Sequence, residues 1–134
     1  MFKSSNPAEK LIKKQLHDLG FGPVHIQRLM YPVQQEPRFL EFLLSKTKQL
    51  IGDTCGITHC QISIISCQSN PQLNLEAYME YYQELLSYGL NFNLVIELVK
   101  YHQPHYLFPL LINHLPKFAD LNFNGDDLIY FVYL

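Results

Sequence analysis

Leu11, Ile12, Leu16 and Leu19 fall on one face at helical spacing, with Lys10, Lys13, Lys14 and Asp18 outside it. A period near 3.6 of this kind predicts an amphipathic helix. Its start carries its own chemistry: Asn6 suits an N-cap, Pro7 the first turn, and Glu9 is placed to return a bond to the cap. Gly20 and Gly22 end it. Residues 1–23 are therefore expected to form an N-terminal helix covering the open end of the remaining chain, with its lysines as a solvated face.

Beyond that helix the pattern repeats. Pro37, Pro71 and Pro104 each follow polar residues and are separated by 34 and 33 residues, a period that marks stacked supersecondary units. Before the prolines stand Leu29 and Tyr31, then Ile62, Ile65 and Cys67, then Val95, Leu98 and Val99. After Pro37 and Pro104 a leucine pair stands at the sixth and seventh positions, Leu43-Leu44 and Leu110-Leu111. After Pro71 the pair comes later, as Leu85-Leu86. Each unit thus reads as a short helix, a tight proline-marked turn and a second helix ending in a leucine pair. Leu128, Phe131 and Val132 stand where the next first helix is due. The competing reading makes Ile57 to Cys67 a strand, because Gln61-Ile62-Ser63-Ile64 alternates, with Leu128 to Leu134 as its only candidate partner.

Between the second and third prolines, Glu84 to Asn93, ELLSYGLNFN, has the spacing L-L-x-x-G-x-x-x-N. It resembles the close of an ankyrin repeat, L-L-x-x-G-A-D-x-N. Gly56-Ile57-Thr58-His59-Cys60 resembles that family's G-x-T-P-L opening, and Phe118-Ala119-Asp120-Leu121-Asn122 its G-A-D-x-N close. The resemblance spans residues 24–134 as about three units, the last broken off after its first helix. There are departures: no complete T-P-L-H is present, and Ile, Ser, Val and Phe replace the small alanines of the inner helices. Bulkier side chains there imply looser or differently angled stacking, and a non-ankyrin array of helical hairpins remains open.

The resemblance implies an all-α fold, a short α-solenoid of stacked antiparallel helix pairs with an N-terminal capping helix, forming one domain. It implies a module that binds another protein through its concave inner-helix and loop-tip surface, with no enzymatic activity, metal or cofactor. The family's usual contact positions correspond here to Glu97, Lys100 and Tyr101, then to Phe92 and Asn93 at a loop tip and to Asn124, Asp126 and Tyr130 in the next unit. Two other classes stand beside this one: a compact helical adaptor, inhibitor or chaperone-like dimer, and a small cysteine-dependent enzyme.

Composition narrows the classes further. A chain of 134 residues, 48% hydrophobic and 16% charged, is globular and has length for one domain. A net charge of -2 gives no electrostatic footprint for nucleic acid or an anionic membrane. The opening MFKSSNPAEK lacks the apolar core of a secretory signal, and no apolar run approaches a membrane span. Cys55, Cys60 and Cys67 are odd in number and crowded together, which suggests reduced thiols and a cytosolic protein. The terminal run Leu128 to Leu134 is apolar enough to need a cover: a continuation of the repeats, a fold back onto the chain, or a homodimer through that edge.

Three chemistries have candidate residues. Asp120-x-Asn122-x-Asn124-Gly125-Asp126 matches the first half of a calcium loop, but Phe131 stands where a bidentate carboxylate is needed. Cys55 and Cys60 stand at the longest spacing of a structural zinc knuckle, but Cys60 and Cys67 exceed it, and on a helix the side chains of Cys55, His59, Cys60 and Cys67 point to different faces, so zinc is not expected. A cysteine nucleophile with His59, His102, His105 or His114 as base has no orienting acid or oxyanion hole in view. On α-helical spacing, Tyr78, Tyr82 and Leu85 share a core face and leave Tyr81 and Tyr88 as contact residues.

Overall fold

The computed structural model describes residues 6–52, 55–88 and 103–120. Six helices occupy them: α1 (Pro7–Asp18), α2 (Pro23–Gln35), α3 (Pro37–Leu50), α4 (His59–Ile65), α5 (Pro71–Ser87) and α6 (Pro104–Asp120). The described residues are all-α, the one extended contact among them being an isolated parallel bridge between Ile51 and Ile57. The backbone divides into two compact units, Met1–Gln72 and Leu73–Leu134.

Proline sets the helix starts. Pro37, Pro71 and Pro104 are each the first residue of a helix, where a missing N–H costs nothing and a fixed φ is already helical. Pro7 and Pro23 do the same for α1 and α2. In front of Pro37 a single residue, Glu36, is extended and its carboxylate accepts from the Arg38 N–H at 3.4 Å. In front of Pro71 the connection runs over residues 66–70, and Asn70 takes a positive φ of 56°, a conformation asparagine tolerates better than most.

The first unit is built around α2, which packs against α1, α3 and α4. Asn6 Oδ1 accepts from the Glu9 N–H at 2.8 Å, the expected cap. The Glu9 carboxylate accepts from Gln34 Nε2 at 3.5 Å. At the other end Gly20, at φ +100°, donates to the His17 carbonyl while Phe21 donates to Leu16, the paired closure that a left-handed residue allows. Leu16 and Phe21 are both buried there. The apolar face of α1 is narrower than its spacing suggests, since Leu11 is exposed and Leu16 alone is fully buried.

Residues 59–65 are helix, which overturns the strand alternative. The cause is local: Thr58 Oγ1 accepts from the Gln61 N–H at 3.1 Å, and Gln61 Oε1 accepts from the Thr58 N–H at 2.9 Å. This reciprocal cap satisfies two donors at the helix start and decides the conformation of an otherwise ambiguous run.

In the second unit α5 and α6 bury Leu75, Tyr78, Leu85, Phe108, Leu111 and Leu115. Tyr78 meets Phe108 edge to face at 4.8 Å between ring centres, and the Tyr78 hydroxyl is driven well above the usual tyrosine range by burial. Asn74, fully buried on α5, caps α6: its Oδ1 accepts from the His105 N–H at 3.3 Å and also from His105 Nδ1.

Each leucine pair divides between core and solvent. Leu43, Leu85 and Leu111 are 0% exposed, whereas Leu44, Leu86 and Leu110 are 39%, 40% and 46% exposed. The buried member lies six positions after Pro37 but seven after Pro104 and fourteen after Pro71. Seven residues are about two helical turns, so α5 and α6 present the same face relative to their prolines and α3 is turned by one residue.

Candidate functional site

The eight positions expected to contact a partner, Phe92, Asn93, Glu97, Lys100, Tyr101, Asn124, Asp126 and Tyr130, lie outside the described residues. So do Gly89, the edge Leu128 to Leu134 and the calcium-like positions after Asp120. Of the aromatic set on and just after α5, Tyr78 and Leu85 are buried as expected; Tyr82, expected on the same core face, is only half-buried, as are Tyr81 and Tyr88.

The cysteine and histidine candidates of the first unit have different surroundings. His59 opens α4, and its Nε2 donates to the Leu19 carbonyl at 2.9 Å. A carbonyl only accepts, so that nitrogen carries the proton. The ring also meets Phe21 edge-on at 4.9 Å. His59 is thus committed to the α1–α2 turn. Cys55 is buried, and burial pushes its thiol up, the opposite of what a nucleophile needs. Cys60 is exposed, with Arg28 Nη1 at 3.8 Å from its sulfur and 3.3 Å from Ser63 Oγ. Among the described residues no group of three or more His, Cys, Asp or Glu side chains is arranged to hold a metal.

Cys67 has a task set by a proline. Pro32 lies inside α2 and has no N–H for the Arg28 carbonyl four residues earlier. The Cys67 thiol donates to that carbonyl at 3.6 Å, a weak bond supplying part of what the helix lost. Beside it opens a mostly apolar groove of about 260 Å³, lined by Tyr31, Pro32, Cys67 and Pro71 among others.

A second groove, of about 320 Å³, lies between α5 and α6. Leu73, Ala77 and Pro109 supply its apolar lining, and Glu76, Glu80, Tyr81 and His105 its polar one. The helical periodicity of α5 aligns Glu76, Glu80 and Glu84 at successive fourth positions, and all three are exposed. Desolvation, followed by the charge of Glu80, a hydrogen bond to that carboxylate and the charge of Glu84, raises the Tyr81 hydroxyl above its ordinary value. Pro109, inside α6, cannot donate to the His105 carbonyl and leaves it without its helical donor. The carboxylate row is legible in the sequence as charge patterning on a helix. The groove is not, because His105 and Pro109 enter it from a helix far along the chain.

No helix among the described residues is long and apolar enough to cross a membrane. No protein-family model, curated protein or solved structure matches the chain.

Proposed function

We propose that this chain is a protein-binding module of the helical-repeat kind, ankyrin-like in its second-helix starts and loop spacing. The observation that carries the proposal is the recurrence of one device: a proline opening a helix at residues 37, 71 and 104, each helix with a leucine pair split between core and solvent. Units of this sort bury one side against their neighbours and leave helix faces and loop tips to contact another protein. On this reading Glu97, Lys100 and Tyr101 contribute the centre of the contact surface, with Phe92, Asn93, Asn124, Asp126 and Tyr130 around it.

The test is affinity capture from cytosolic lysate with the wild type and with Glu97→Ala, Tyr101→Ala and Tyr130→Ala combined. A protein retained by the wild type and lost from the variant, with helicity unchanged by circular dichroism, is the expected result. Equal retention by both, or no retained protein, would overturn the assignment of this surface. Collapse of helicity in the variant would mean that these side chains are core, which overturns it equally.

A further inference from the structure

We propose that the groove between α5 and α6 is a docking surface, and that its occupant is a cationic amphipathic segment of a partner protein. Charge complementarity argues for that occupant. α5 carries Glu76, Glu80 and Glu84 and neither lysine nor arginine over its 17 residues. Among the described residues none of the three is paired with a lysine or arginine. Like charges four apart on a helix repel. Bound cations at matching spacing would turn that repulsion into attraction.

The rest of the groove fits the same occupant. Leu73 is 52% exposed at its lip, with Ala77 and Pro109 also lining it, so apolar side chains of the segment have surface to cover. His105 is tied by Nδ1 to Asn74, which holds that wall of the groove in place. An anionic membrane or a nucleic acid would meet the same carboxylates as repulsion.

The experiment uses the full chain and a fluorescein-labelled model peptide of about four helical turns, with leucines on one face and lysines at four-residue spacing beside them. A second peptide carries glutamate in place of every lysine. Fluorescence anisotropy is expected to show binding of the lysine peptide, weakened by added salt, and none of the glutamate peptide. Glu76→Gln with Glu80→Gln is expected to weaken binding about tenfold, as two surface ion pairs in the middle to upper part of their range would, and Leu73→Gln to weaken it severalfold. Glu36→Gln with Glu41→Gln removes the same charge from the other unit and is expected to leave binding unchanged. Equal losses from the two double variants would reduce the effect to net charge and overturn the proposal. Binding of both peptides, or of neither, would overturn it as well.

Discussion

Replacing Gly20 by alanine tests how the first unit is closed. At φ +100° an L-residue is strained, and an added Cβ would stand 2.7 Å from His59 Nε2 and 3.0 Å from Cε1. The backbone strain alone is worth about 1–2 kcal/mol. Relieving the overlap requires the imidazole to leave the Leu19 carbonyl, which forfeits a hydrogen bond of about 1 kcal/mol and disturbs the edge contact with Phe21. The total expected for Gly20→Ala is therefore about 2–4 kcal/mol, read from urea unfolding followed by circular dichroism. In a His59→Ala background the overlap is gone and only the strain remains, so the same substitution should cost about 1–2 kcal/mol less. A loss below about 0.5 kcal/mol in the wild-type background, or strict additivity of the two substitutions, would refute the close approach of His59 to this turn.

The split leucine pairs make a second prediction, again by urea unfolding. Leu43→Ala, Leu85→Ala and Leu111→Ala should each cost about 2–5 kcal/mol, and Leu44→Ala, Leu86→Ala and Leu110→Ala well under about 1; a reversed order in α6 would put its face in the register of α3. A third concerns pH. The Tyr78 hydroxyl is raised by burial, so the folded state holds its proton more tightly than the unfolded chain. Stability is untouched below about pH 10 and falls as pH rises through the ordinary tyrosine value toward the raised one, by at most about 1.4 kcal/mol per pH unit. Tyr78→Phe should flatten that fall in an unfolding series; an unchanged slope would contradict the burial of the hydroxyl.

Local chemistry is the part of the fold most readily visible in the residues. The Asn6 cap, Pro7 in the first turn and the glycine end of α1 each depend on neighbours within a few positions, and each is present in the structure, whereas Pro37, Pro71 and Pro104, read as turn residues, open helices instead. The reciprocal Thr58–Gln61 cap is equally local, yet the alternation of Gln61 to Ile64 hides it, because seven residues give too little periodicity to separate helix from strand. Rotation of a helix about its axis is not visible. The period identifies the leucine pairs but does not say which member faces inward, since that depends on the connection before each proline: one residue before Pro37 and five before Pro71. Spacing places Leu11 with the core for a similar reason, whereas the face of α1 that meets α2 is narrower than its apolar stripe and leaves Leu11 exposed. On the functional side, the row Glu76, Glu80 and Glu84 is readable from spacing alone, but its groove requires α6 to supply Pro109 and His105. Cys67 has the look of candidate chemistry in the sequence, and only in three dimensions does its hydrogen bond to a carbonyl deprived of a donor by Pro32 emerge.

The central claim, that the repeats serve to bind another protein through the Glu97, Tyr101 and Tyr130 surface, is tested most directly by hydrogen–deuterium exchange of the chain alone and in complex with its captured partner. Slowed exchange in the peptides covering residues 92–101 and 124–130, with little change across α1, is the predicted result. Slowing confined to α1 or to the groove beside Tyr31 and Cys67, with those two segments unaffected, would contradict it.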